Sequence, residues 1–182
     1  IGYGASGRNG GHLVQGWSTD FSKLQKSIDN KDHKMAWDAG IEAVSIVRNR
    51  IKKYNINCDL QMGYVYAALH KRHLSELIEM KREWSNFGYN NLKILENSNS
   101  LKEYVNTDKY IGGLVDTGSG HLHPMKYLHS LAKIAKNLGV KIFEKTYVVK
   151  RQEKATVLTT NENFEIKSSK ILFCGNAYLE GV

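Results

Sequence analysis

Apolar positions fall into two periods along the chain. Between residues 32 and 54, Met35, Trp37, Ile41, Val44, Ile46, Val47 and Ile51 mostly recur at helical spacing. Asp32 stands at the N-cap position, and Lys52 and Lys53 suit the negative end of the helix dipole. Residues 61–69, rich in Tyr, Val and Ala, read as a strand. A second amphipathic helix is predicted over 71–87, with Gly88 as its stop. Residues 92–95 read as a short strand, 100–105 as a short helix, and 110–116 as a strand containing Gly112 and Gly113. Residues 118–124 read as a turn that leads to the only proline. Pro124 suits the first turn of a helix over 124–137, because its missing N–H would have no partner there, and Gly139 ends that helix. The period then shortens. Residues 140–143, 147–149, 156–159 and 164–166 read as short strands, with a hairpin turn at Asn161-Glu162-Asn163. The run Lys170-Ile171-Leu172-Phe173-Cys174 has the unbroken apolarity of a strand covered on both faces of a parallel sheet. The fold class is therefore α/β with α+β elements.

Composition narrows the reading. The chain has 182 residues, 41% of them apolar, and a formal net charge of +8. A soluble chain of this size buries roughly 70% of its unfolded surface. No apolar run reaches the roughly 18 residues that a membrane helix needs. The basic residues alternate with acids along the helices, as in Lys71, Arg72, Glu76, Glu79, Lys81, Arg82 and Glu83. That pattern reads as a solvated face, not a nucleic-acid surface. Two distant cysteines, Cys58 and Cys174, form no CxxC pair and point to a reducing, cytoplasmic setting. Cys174 follows an apolar tripeptide and reads as a small buried residue. The chain begins with Ile1 and has no signal-peptide pattern, so it is expected to be a piece of a longer protein or one whose leader has gone.

The opening residues carry the first chemical hint. Gly2-Tyr3-Gly4-Ala5-Ser6-Gly7 fits G-x-G-x-x-G by letter. The dinucleotide fingerprint also needs a preceding strand, a helix opening inside the motif and an acid about 20 residues on. Only Ile1 precedes the motif here, Gly10-Gly11 follow it, and no strand leads to Asp20. What remains is a glycine-rich segment with donors at Ser6, Arg8 and Asn9. It suits a flat electron-accepting ring or a phosphate, or else it is a loose terminus.

Gly4-Ala5-Ser6-Gly7-Arg8-Asn9-Gly10-Gly11 resembles the G-A-S-G-R-N-G-G motif of FAD-dependent amine oxidases in the D-amino-acid oxidase, glycine oxidase and sarcosine oxidase superfamily. It looks closest to the gamma-glutamylputrescine oxidoreductase branch. Residues 118–124 resemble that branch's S-G-H-L-H-P segment, 139–144 its helix-to-strand turn, and 171–178 its second flavin-contacting strand end. The resemblance covers the whole chain. It implies a partial FAD-binding domain of glutathione-reductase-like type (1–53 and 123–182) with an inserted mixed-sheet substrate domain (54–122).

It also implies FAD as cofactor. Ala5, Ser6, Gly7, Arg8, Asn9, Gly10, Gly11 and His12 would line the ribityl chain and ring, Val148 would hold adenine through its main chain, and Cys174, Gly175 and Asn176 would pass near the cofactor. His12 stands where relatives often have Gln. The family's first phosphate-binding loop, acidic ribose ligand and C-terminal continuation are expected to belong to missing N- and C-terminal portions of the same enzyme, so weak or no FAD binding is expected of this chain alone. The implied reaction is oxidation of an amine C–N bond, with a small amine such as a gamma-glutamylated polyamine as substrate. The alternatives are a non-catalytic fragment or split-gene remnant unable to bind FAD alone, and a binding module without turnover. Tyr64 and Tyr66 share one strand face and offer walls for an amine, and His121 and His123 offer polarity near the helix start. His121/His123 and His70/His73 lack HExxH spacing and a third ligand, so no metal is expected. Trp17, Trp37 and Trp84 are assigned to packing.

Overall fold

The computed structural model describes residues 1–151 and 156–179. Its contacts divide the chain into two compact units, Ile1–Ala135 and Lys136–Val182.

The first unit is built on an antiparallel sheet whose central strand is β4 (Gly112–His121). Strand β2 (Gln61–Ala68) runs along one edge of β4, pairing from Gln61↔His121 to Ala68↔Gly112. On the other edge two short strands lie in tandem. β3 (Leu92–Leu95) pairs with 113–116, and β1 (His12–Leu13) pairs with Gly120 and His121. Alternation then assigns the two faces. Tyr66 and Leu114 look toward α2 (His33–Lys53) and α3 (Lys71–Asn86). There Trp37, Tyr89, Leu92 and Leu114 form a buried cluster flanked by Phe21, Ile41, Leu77, Met80, Trp84 and Phe87. Phe21 belongs to a short helix, α1 (Phe21–Gln25). On the opposite face Val115 and Leu95 pack with Leu101 of α4 (Ser98–Lys102). Asn97 caps α4 by accepting from the Ser100 N–H at 3.0 Å.

The periodic segments form where the pattern placed them. Asp32 precedes α2 in helical conformation and makes no side-chain cap, because a 3-10 turn (Asn30–Asp32) runs straight into the helix. Gly88 stops α3 at φ +84°, and Gly139 follows the helix α5 (Pro124–Asn137) at φ +89°.

Three expectations are corrected. Residues 118–121, expected as a turn, continue β4, because β1 and β2 both pair with them. Glycine is needed there, since a Cβ on Gly120 would lie 2.2 Å from the Gln61 carbonyl oxygen. Residues 140–143 form no strand; Val140 and Phe143 are exposed. The 170–174 run is not a buried strand either. Leu172 is 86% exposed and Cys174 is also exposed, because no described strand pairs with the segment to form the parallel sheet it needs.

The second unit holds an antiparallel meander of β5 (Val148–Arg151), β6 (Val157–Thr160) and β7 (Glu165–Lys167). The expected 161–163 hairpin joins β6 to β7, with Asn163 at φ +63°.

Candidate functional site

The opening segment is an ordered loop. Gly7 N–H donates to the Gly4 carbonyl at 3.1 Å and Arg8 N–H to Ala5 at 3.2 Å, which makes two overlapping turns. Asn9 staples them. Its side-chain amide donates to the Ala5 and Ser6 carbonyls at 3.0 and 3.1 Å, and its Oδ1 accepts from the Gly11 N–H at 2.9 Å. Arg8 lays its guanidinium over the Tyr3 ring, 4.4 Å from the centroid.

The glycines divide by what forces them. Gly7 and Gly11 are required by the fold itself, because a Cβ would lie 2.2 Å from the Gly2 oxygen and 1.9 Å from the Leu122 oxygen respectively. Gly11 also sits at φ +70°. Gly10 is different: a Cβ there would meet nothing closer than the His12 ring at 3.6 Å. Its bare backbone is exposed beside that ring, where a flat group can approach closely.

Below the loop, Gly11 is anchored to the sheet by Leu122 N–H, which donates to its carbonyl at 2.9 Å. A cavity of about 280 Å³ opens between Ser6, Asn9, Gly11 and His12 of the loop and Val47, Leu122, Tyr127, Leu128 and Leu131.

From His12 a row of rings crosses the sheet. Its imidazole meets Tyr64 edge-on at 5.3 Å, and Tyr64 meets Tyr66 at 4.9 Å. His121 is the cross-strand neighbour of His12. The structure therefore links His12, Tyr64 and Tyr66 through ring contacts and sets His121 opposite His12, while Tyr66 pairs with Leu114 farther along β4. Burial first, and then the Asp116 charge, push the Tyr66 phenol up to about 12, so it stays protonated at neutral pH. His123 serves the chain. Its N–H donates to the Cys58 carbonyl at 2.7 Å, and its Nδ1 accepts from the Lys126 N–H at the start of α5. Lys126 also pairs with Asp59 at 2.6 Å and holds that carboxyl below the usual carboxylate range.

The remaining expected residues lie in the second unit. Val148 opens β5 opposite Thr160, and Gly175 precedes a 3-10 turn (Asn176–Tyr178), with Asn176 at φ +51°. Arg151 lies over the Phe173 ring at 5.6 Å.

The pattern of polar residues did not expose the site's most buried feature. Asp116 is fully buried and has no cationic partner among the described residues. Three donors satisfy it. Tyr89 Oη and the Gly118 N–H donate to Oδ1 at 2.6 and 2.9 Å, and Ser119 Oγ donates to Oδ2 at 2.5 Å. Between Met62↔Gly120 and Tyr64↔Asp116 the register slips, so β4 bulges at 117–119, and Asp116 folds that bulge back on itself. Ser119 Oγ then accepts from the Gln15 N–H at 3.1 Å, tying the chain just after β1 to the bulge. One buried carboxylate thus sets the position of the strand that carries His12. Burial and this bond raise the Tyr89 phenol above its ordinary value. The only sequence signal was an acid closing the apolar run Leu114-Val115 before a Gly-Ser-Gly.

An α/β chain with a stapled glycine loop set beside a ring-lined sheet has the features of a nucleotide-coenzyme oxidoreductase. The chain belongs to the FAD-dependent oxidoreductase family: the family profile described as DAO, FAD dependent oxidoreductase, matches residues 1–182. FAD is the cofactor of that family. Among curated relatives, a probable oxidoreductase OrdL of Haemophilus influenzae is 39% identical over 99% of this chain and 42% of its own length. The gamma-glutamylputrescine oxidoreductase of Escherichia coli is 32% identical over 98% of this chain and 42% of its own length. The chain thus spans under half the length of these relatives. In fold it is similar to glycine oxidase from Geobacillus kaustophilus, with a TM-score of 0.70 and 17% identity over 92% of this chain and 44% of that one.

Proposed function

We propose that this protein takes part in FAD-dependent oxidation of the C–N bond of a small amine, with a gamma-glutamylputrescine-like compound as substrate. The observation that carries the reading is the stapled loop: Asn9 fixes the turns of residues 4–8, and Gly10 leaves a bare backbone beside His12. Its substrate side is drawn from the name of the Escherichia coli relative. In this reading 1–53 and 123–182 belong to the FAD domain and 54–122 to the substrate domain. Val148, Cys174, Gly175 and Asn176 are further residues assigned to the cofactor.

FAD supplies the hydride acceptor, which no side chain can provide. The chain's own residues orient and exclude water. Tyr64 and Tyr66 present ring faces along one side of the sheet. The Tyr66 phenol stays protonated and so can donate to a substrate. His12 and His121 place polar atoms at the end of the row nearest the loop. Asp116 positions β1 through Ser119 and Gln15.

The test is anaerobic addition of gamma-glutamylputrescine to the FAD-loaded protein, with the flavin absorbance followed. Bleaching by the amine and none by glycerol phosphate is the expected result. A flavin that glycerol phosphate bleaches and the amine does not would assign the chain to C–O chemistry. Protein that takes up no FAD would favour the non-catalytic alternative.

A further inference from the structure

A second cavity, of about 640 Å³, lies in the first unit between the segment after β1, α2 and α3. It has two unusual properties. The chain has three tryptophans, and all of them, Trp17, Trp37 and Trp84, line this one cavity, with Tyr66 in its wall. Four carboxylates, Asp20, Glu76, Glu79 and Glu83, also line it, and among the described residues no Lys or Arg does, in a chain with a net charge of +8.

The glutamates sit there because of helix geometry. Residues 76, 79, 80, 83 and 84 are spaced i, i+3, i+4, i+7 and i+8, which is one stripe of α3. Glu76, Glu79 and Glu83 therefore alternate with Met80 and Trp84 along the cavity edge. Like charges so placed repel one another. Arg72 relieves Glu76 at 2.8 Å, Arg82 relieves Glu79 at 2.6 Å and Lys23 relieves Asp20 at 3.0 Å, while Glu83 has no ion pair among the described residues. The aromatic wall is fixed. Trp37 is 5% exposed and meets Trp84 edge-on at 5.4 Å, and Trp17 is held by its indole N–H donating to the Ala36 carbonyl at 2.9 Å.

An apolar aromatic chamber with an anionic edge has a defined preference. Indole faces attract cations, carboxylates pair with them, and the wall covers an alkyl chain. A free carboxylate would meet Glu83, which has no ion pair among the described residues, and three carboxylates already paired with Lys23, Arg72 and Arg82. We propose that this cavity is a binding site for an organic ammonium ion with an apolar body, and that it rejects the matching carboxylate.

The test uses the full chain without flavin, so its outcome is separate from that of the redox reading. Hexylammonium and hexanoate, matched in chain length, are titrated against tryptophan emission, which reports only from this cavity. The expected result is a saturable change with hexylammonium that weakens with added salt, and binding of hexanoate at least about tenfold weaker. Glu83→Gln should weaken hexylammonium about fivefold, the effect of one partly solvated charge pair. Should that variant fail to fold by circular dichroism, Glu79→Gln on the same exposed stripe replaces it. Equal response to both probes, no saturable response, or unchanged affinity in the glutamine variant would overturn the proposal.

Discussion

Asp116 shows how much one residue can hold. A buried carboxylate costs several kcal/mol unless its lone pairs are filled, and here two hydroxyls and a backbone N–H fill them. Tyr89→Phe removes one donor and keeps the ring, so a loss of about 1–3 kcal/mol in denaturant unfolding is expected. Ser119→Ala breaks two links together, to Asp116 and to Gln15, and should cost at least as much. Tyr66 supplies a prediction in pH. An ordinary phenol ionises near 10, and this one is held protonated to about 12. Between those values the folded chain keeps a proton that the unfolded chain has lost, so unfolding releases it and stability falls as pH rises. Tyr66→Phe should make that alkaline fall shallower in thermal melts from neutral pH to pH 12. The two cysteines also separate at this scale. Cys58 is buried, with its thiol pushed up by that burial, whereas Cys174 is exposed and free. A thiol reagent should label Cys174 in the native protein and Cys58 only after unfolding.

At the scale of elements, the decisive one is β4. It carries the register of three other strands, and its second half was unreadable as a strand because Gly118, Ser119 and Gly120 look like a turn. Those glycines answer to close approach, not to chain reversal. A Cβ at 118 would strike the Tyr89 hydroxyl at 2.1 Å, and one at 120 the Gln61 carbonyl at 2.2 Å. Gly120→Ala should therefore lower the unfolding midpoint by more than a surface substitution, which normally stays within about 0.5 kcal/mol. Segment 170–174 erred the other way. Its apolarity reads as burial, yet a strand exists only where a neighbour supplies its hydrogen bonds, and periodicity within one segment carries no information about neighbours. The helices over 33–53, 71–86 and 124–137 were legible because their period and stops are local properties. The Asp116 network was not, because it joins residues 15, 89, 116 and 119 across the fold.

At the scale of the whole molecule, family membership rests on a match along all 182 residues, and the site reading rests on a loop that the chain orders by itself. The opening motif was legible as a resemblance. Its division into glycines required by the fold and one left bare was not, since that depends on what each missing Cβ would meet. The central claim is that this loop receives the flavin ring. It is tested most directly by titrating FAD into the protein and into Asn9→Ala while following the flavin spectrum. Asn9 is exposed, so its loss should leave the melting temperature nearly unchanged while releasing the turns it staples. The account predicts a weak but saturable spectral shift with the native protein, its phosphate loop being expected outside this chain, and at least about a tenfold weaker one with Asn9→Ala, the loss of roughly 1.4 kcal/mol of preorganisation. Equal FAD affinity and identical spectra in the two proteins would contradict it.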